Sequence, residues 1–280
     1  MKVLPFIISK PENSTLLLQE DRAKSFYSKL HQHEEIQLSY IVKGDGTFYI
    51  GDCYGQFGAG DIFAIGEHLP HVFSSDPSEE DVHMVSLFFT TNSYGEGFFE
   101  RPEFHSIRHF FDSVKPGFRL SSNTDGMGKK MIEMTQQDSL ERFLSFIDLL
   151  HQVSRSELEL LSSVIHRKRF SENDGKRMRE IMQYTLNNFD KGLTVQEVAE
   201  IANMSPNAFC RYFKQRANKT YINFVIDIRI GHACKLLQRN SDLRISEIAF
   251  QSGFNNLTNF NRKFRQVKGL TPSEFRSSFR

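Results

Sequence analysis

Apolar residues recur every three or four positions through the last hundred residues of the chain, whereas parts of the first hundred alternate apolar and polar residues in short runs. The two ends therefore predict different architectures. In the first, β-rich runs at 36–42, 47–50, 62–65 and 82–90 are separated by Gly44-Asp45-Gly46, Gly51-Asp52 and Gly58-Ala59-Gly60-Asp61. Short strands punctuated by such turns predict a small antiparallel barrel or sandwich. Two helical segments follow, at 127–137 and 140–166. The second carries apolar stripes through Leu140, Phe143, Leu144, Ile147, Leu150, Val153, Leu158, Leu161 and Ile165, which fit packing against the barrel. Residues 167–175 read as a polar linker in which Asn173 or Asp174 caps the next helix, whose period runs through Met178, Ile181, Met182, Leu186 and Phe189.

The C-terminal stretch contains one pattern twice. Leu193, Val195, Glu197, Val198 and Ala199 match Leu243, Ile245, Glu247, Ile248 and Ala249 at an offset of 50, and after a one-residue slip the match resumes at 51. There Phe209, Arg211, Phe213, Lys214, Thr220 and Phe224 fall against Phe260, Arg262, Phe264, Arg265, Thr271 and Phe275. Apolar and basic positions repeat in order, so the stretch is two copies of one supersecondary unit. Thr194 and Glu197 have capping-box spacing and start a helix at about 195. Ser205-Pro206 starts another over 206–215, with Phe209 and Phe213 inward and Asn207, Cys210, Arg211 and Lys214 outward. In the second copy Gly253 takes the turn, where positive φ is needed, and Phe254 plugs the angle between the helices. Its outward positions are 255–259, Asn261, Arg262 and Arg265.

Basic helix faces are often only solvated surface, but the charge distribution gives these a purpose. From Lys176 to Arg280 there are 18 Lys and Arg against 8 Asp and Glu, a net of +10; the residues before it hold 17 against 26, a net of −9. A near-neutral whole conceals a basic end joined to an acidic one. A basic face attracts phosphates through counterion release, and Asn and Arg side chains make paired hydrogen bonds to base edges.

The run 229–237, the Ile248-Ala249 and Gly253-Phe254 pairs, Phe260, Arg262, Phe264, Gly269, Thr271-Pro272 and Phe275-Arg276 resemble the AraC family of bacterial transcription regulators. The resemblance covers roughly the last hundred residues. It implies two helix-turn-helix units joined by a long helix, with recognition helices at 206–215 and 256–267. The connecting stretch 221–239 is apolar at Ile222, Val225, Ile226, Ala233, Leu236 and Leu237. As a helix it would span about 29 Å at about 1.5 Å per residue, near the roughly 34 Å of one DNA turn, so one chain reaches two successive major grooves. Base contacts are expected from Asn207, Cys210 and Arg211, and from Leu257, Asn259 and Arg262. Phosphate contacts are expected from Lys214, Lys263 and Arg265. The resemblance also makes the 121–166 helices a homodimer interface, and RNA polymerase a partner if the protein is an activator.

In the first half, His31-Gln32-His33, Gln37, Gly44, Gly60-Asp61 and Pro70-His71 resemble a cupin over about 60 residues. Metal-binding cupins use two His, a Glu and a later His. Here His31, His33 and His71 stand at matching places, but Gln37 occupies the Glu position, which removes a charge and weakens the argument for a catalytic metal. Strand alternation places His31, His33, Glu35, Gln37 and Ser39 on one face and Ile36, Leu38, Tyr40 and Val42 on the other. Three readings follow: a pocket for a polar small-molecule effector such as a sugar, a purely structural barrel with satisfied histidines, or a metal site. The first makes His31, His33, Glu35, Gln37 and His71 the effector residues, with no cofactor, no bound metal and no catalytic residue.

The fold expected is thus α+β and multidomain: a cupin-like effector barrel over 1–120, a helical dimerisation segment over 121–166, a linker over 167–175, and an all-α DNA-binding domain with two helix-turn-helix units over 176–280. The function expected is a sequence-specific, effector-responsive regulator binding double-stranded DNA. The competing readings are a dimeric regulator without an effector and a metal-dependent cupin enzyme carrying a DNA-binding module. Apolar content of 39%, with 27 Phe and no Trp, fills two cores. Cys53, Cys210 and Cys234 have neither metal spacing nor a disulfide pattern. The apolar run at 1–8 is too short for a signal or a membrane span, so a cytoplasmic protein without membrane partners is expected.

Overall fold

The computed structural model describes residues 15–26, 30–75, 81–120, 124–162, 172–239 and 242–279. The run at 1–8, Ile165 and the linker residues 167–171 lie outside them. The chain forms two compact units, changing over between Glu172 and Asn173.

The first unit is built from two sheets. A six-stranded antiparallel sheet has the order β1 (Leu17–Ala23), β7 (Val82–Phe89), β2 (Ile36–Lys43), β5 (Ile62–Ile65), β8 (Phe118–Leu120) and β9 (Leu158–Leu160). A three-stranded sheet has the order β4 (Cys53–Phe57), β3 (Gly46–Ile50) and β6 (His71–Ser74). Alternation along β2 sends Ile36, Leu38 and Tyr40 to one apolar cluster and Ile41 to another. The second cluster is aromatic: Phe48, Phe57, Phe63 and Phe73 pack at ring separations of 5.0 to 5.6 Å in edge-on pairs, an arrangement their quadrupoles favour. Gly60 at φ 95 turns the chain into β5. Asp61 then fixes that turn, accepting from Gly58 N at 2.7 Å and from Arg119 Nη2 of β8 at 2.7 Å.

The other face of the large sheet is covered by α2 (Thr124–Glu133) and α3 (Ser139–Ser154). Helix α3 begins at a capping box between Asp138 and Glu141 and buries Phe146, Leu149, Leu150 and Val153 against Leu38, Val85 and Leu87. An aromatic insertion that the sequence pattern did not disclose, with two 3₁₀ turns and α1 (Arg108–Ser113), packs Tyr94 and Phe98 against Phe143.

The helix expected over 140–166 stops at Ser154. The hydroxyls of Ser154 and Ser156 bond back to the carbonyls of Leu150 and Gln152, Arg155 closes the last turn, and the chain enters β9. Leu158 and Leu161 then meet opposite clusters by strand alternation, not along one helical stripe.

The described residues of the C-terminal stretch form helices: α4 (Glu172–Asn188), α5 (Val195–Ile201), α6 (Pro206–Ala217), α7 (Tyr221–Arg239), α8 (Ile245–Gln251), α9 (Leu257–Lys268) and α10 (Pro272–Ser277). Helix α4 starts earlier than its expected cap, so Asn173 and Asp174 lie inside its first turn and the last residues of the expected linker are helical. Each helix-turn-helix has its own core. Phe209, Phe213, Tyr221 and Phe224 pack together in the first; Ile248, Phe254, Phe260 and Phe264 pack on Ile230 and Leu237 of α7 in the second. Arg229 of α7 donates from Nε to Phe189 O and from Nη2 to Lys191 O, both at 2.7 Å, tying down the chain just past the end of α4. Among the described residues no helix is long and apolar enough to cross a membrane.

Candidate functional site

The two helix-turn-helix units superpose bond for bond across their turns. Ala202 N donates to Val198 O and Met204 N to Ala199 O; Ser252 N donates to Ile248 O and Phe254 N to Ala249 O, all at 2.9 or 3.0 Å. The left-handed residue is Asn203 (φ 53) in the first turn and Gly253 (φ 81) in the second. Asn is among the few residues that reach that region at modest cost, which is why the first turn lacks the glycine signature. At Gly253 a Cβ would stand 2.7 Å from Phe189 O, so space as well as φ demands glycine there.

After the turns the N-caps are Ser205 and Asn256, whose side chains accept from Ala208 N and Asn259 N. The slip from 50 to 51 is therefore one extra residue, Asn255, between turn and cap. Counting from the caps, Asn207, Cys210, Arg211 and Lys214 of α6 match Thr258, Asn261, Arg262 and Arg265 of α9. These eight side chains are exposed, at the i, i+3, i+4, i+7 spacing of a single helix face. Asn261, Arg262, Arg265, Gln266 and Thr271 line one open groove.

The remaining sequence-derived positions on α9 sit differently. Leu257 is the first helical residue and partly exposed. Asn259 is exposed, and its carboxamide oxygen accepts from Arg262 Nη2 at 2.9 Å, aiming the guanidinium. Lys263 is half-buried and donates to Gln266 of its own helix at 3.2 Å. Thr258 and Asn261 were read from the sequence as outward but not as base contacts; aligning the two N-caps pairs them with Asn207 and Cys210.

The barrel's candidate residues come from three separate segments. His31 precedes β2 and bridges to His71 of β6 through reciprocal backbone bonds, His31 N to His71 O at 3.1 Å and His71 N to His31 O at 2.9 Å. That bridge brings the ring centroids of His31 and His71 to 4.3 Å, with His33 5.0 Å from His71. Strand alternation alone, which ran 31 to 39 as one row, missed this: β2 begins only at Ile36. Glu35 is half-buried, with its carboxylate 3.7 Å from His33 Nδ1.

A buried polar chain runs inward from His33. His33 Nε2 lies 3.0 Å from the Gln37 carboxamide, the Gln37 carboxamide 2.7 Å from Ser39 Oγ, and Ser39 Oγ 2.7 Å from Ser86 Oγ on the paired strand β7. His33 Nδ1 donates to the Glu35 carbonyl at 2.9 Å, so a neutral ring presents a lone pair at Nε2. The carboxamide that satisfies every member then turns its NH2 to His33 and its oxygen to the Ser39 hydroxyl. Burial holds the His33 imidazole below its ordinary range. His71 Nδ1 donates to Leu69 O at 2.8 Å, while its buried Nε2 has no hydrogen-bond partner. Burial, reinforced by His31 and His33, pushes His71 well below the ordinary histidine range, so it too is neutral. The barrel thus offers two uncharged imidazoles, those of His33 and His71, beside a linked amide and hydroxyl chain.

Comparison with known proteins gives each unit a counterpart. Residues 13–89 match the AraC-like ligand binding domain, and residues 198–278 match a helix-turn-helix domain. The uncharacterised helix-turn-helix transcriptional regulator YdeC of Bacillus subtilis is 24% identical over 256 residues, covering 89% of this chain and 86% of the relative. The arabinose operon regulatory protein of Escherichia coli is 23% identical over 85% of this chain and 76% of its own length. Among solved structures, ToxT from Vibrio cholerae is similar over 95% of this chain and 98% of its own at 12% identity, with a TM-score of 0.38.

Proposed function

The chain belongs to the AraC family of DNA-binding transcription regulators, with a ligand-binding N-terminal domain, and from that premise we propose that it reads a two-part operator in response to a polar small molecule, of the sugar class, held in the barrel. It is a regulator and not an enzyme. The observation that carries the operator reading is the identical N-cap register of α6 and α9. With α7 between them, one chain presents two equivalent faces to two major-groove segments.

In this reading Asn207, Cys210 and Arg211 contact bases in one half-site, and Arg262, with Asn261, Leu257 and Asn259, contacts them in the other. Lys214, Lys263 and Arg265 serve the phosphates, and the backbone amides at the start of α10 serve an adjacent one. The effector lies among His31, His33, Glu35, Gln37 and His71, and works by favouring one arrangement of two equilibrating ones. Helix α3 supports a homodimer: Leu140 and Leu144, one turn apart, are 66% and 58% exposed while its opposite face is buried in the barrel. As an activator the protein would in addition meet RNA polymerase, and its place is the cytoplasm, with the DNA it reads.

Genomic pull-down of DNA bound to the full chain, with and without a panel of sugars, tests this. Enriched sites should share two motifs about one helical turn apart, and one sugar should change their occupancy. Absence of a shared motif would sink the operator reading; occupancy indifferent to every sugar would leave a dimeric regulator without a sugar effector.

A further inference from the structure

The two recognition helices share a register but are not equally equipped. Arg211 and Arg262 stand at the same place, six residues past the N-cap, and Lys214 and Arg265 keep a cation at the ninth. Between cap and arginine the helices diverge. Two places carry a carboxamide in α9, Asn259 and Asn261, where α6 has Ala208 and Cys210. In α9 a relay of bonds therefore joins the turn to the guanidinium. The Asn256 side chain accepts from Asn259 N at 3.0 Å, and the Asn259 carboxamide oxygen accepts from Arg262 Nη2 at 2.9 Å. In α6 the matching cap bond, from Ala208 N to Ser205 Oγ, is 3.4 Å long, and the relay ends there because Ala208 has no polar side chain.

Holding one nitrogen of an arginine changes how it reads a base. An unheld side chain samples many rotamers, and a base contact must freeze them. A guanidinium already fixed at one nitrogen loses less freedom on binding and still has donors to pair with guanine O6 and N7. When guanine is replaced, an unheld arginine swings to a neighbouring phosphate and recovers part of the loss. A held one leaves its donors unpaired, so the penalty for the wrong base is larger. We propose that the α9 half of the operator is read stringently and the α6 half loosely, with Asn259 as the positioning residue that sets the difference through Arg262. The inference rests on the two-part operator reading and gives its halves unequal weight.

The test binds full-length protein to a duplex library randomised across both half-sites and sequences what is retained. Guanine should be favoured about 10–100-fold over the other bases at the Arg262 position, and by less at the Arg211 position. Arg262→Ala marks which half lies under α9. Asn259→Ala should bring the preference at that one base pair down to the α6 level, and should change nothing further when Arg262 is already alanine. Asn259→Asp, which keeps the acceptor oxygen, should retain the preference. Both side chains are exposed, so the variants keep the fold, and a merely structural role for Asn259 would weaken binding to all sequences alike. Equal stringency in the two halves, a preference unmoved by Asn259→Ala, or a further change caused by it in the Arg262→Ala background overturns the proposal. A library that yields no shared motif overturns the operator reading and this inference with it, a result distinct from two equal halves.

Discussion

The barrel and the helical unit place their chemistry on opposite sides of their apolar cores. In the barrel, His33, Gln37, Ser39, His71 and Ser86 are buried, linked to one another or to carbonyls, with apolar clusters on either side of the sheet. In the helical unit, Phe209 and Phe213 of one helix-turn-helix and Phe254, Phe260 and Phe264 of the other are buried, while the Asn, Arg and Lys side chains of the recognition-helix faces stand outside. Partner size accounts for the difference. A duplex cannot enter a core, so its contacts must be a helix face held from behind; a small molecule or ion needs enclosure, where desolvation makes each polar contact count.

If the helical unit is only a scaffold for its outer face, removing its core should have the largest effect of any change. Phe260→Ala, which empties space beside Phe254 and Phe264, should cost about 3–5 kcal/mol in denaturant unfolding and abolish operator binding while the barrel's transition remains. A single shifted transition for the whole chain would break the picture of separate cores.

The contrast also has internal exceptions, since the helical unit buries polar pairs of its own, Tyr221 with Thr185 among them. Tyr221 OH lies 2.8 Å from Thr185 Oγ1, and the Thr185 hydroxyl reaches Ile181 O at 2.7 Å. Burial, eased by the Thr185 bond, pushes the phenol up to about 12. An unfolded tyrosine ionises near pH 10, so the folded state binds the proton more tightly. Stability should be level below about pH 10 and fall as pH rises towards 12, by at most about 2.7 kcal/mol. Tyr221→Phe should remove that alkaline loss, as unfolding at pH 9 and pH 11 would reveal; an equal loss in the variant would place the alkaline sensitivity elsewhere. Smaller still is the effect on the outer face: Arg262→Ala should weaken operator binding by about 1–3 kcal/mol and relax sequence preference in one half-site, with folding unchanged. Uniform weakening on all sequences would make Arg262 a phosphate contact.

Legibility follows the same divide. Helices α5, α6, α7 and α9 begin within a residue or two of where caps and period place them, because Thr194, Ser205-Pro206 and Asn256 act on amides three residues away. Strands β2, β3, β5 and β7 were readable from β-branched runs between glycine turns. Strands β1, β4 and β6 were not: Leu17–Ala23 is half polar, and only pairing with β7 makes it a strand. The Tyr94 to Phe111 insertion shows no period, since its aromatic residues meet one another and α3 through turns. Asn203 hid the first turn's equivalence to Gly253. For the barrel site, the histidine spacing was visible, but the sequence argued from one strand's alternation and from the missing Glu.

The amino-acid order by itself determined the twofold helix-turn-helix repeat, the basic outer face and its acidic counterpart, because capping, helical period and charge are properties of neighbours within a few residues. Tertiary structure alone decided that His71, forty residues away, lies against His31 and leaves one nitrogen open beside His33. That juxtaposition depends on the pairing of segments distant in sequence, whose closure is stabilised by the whole barrel core and by no local signal.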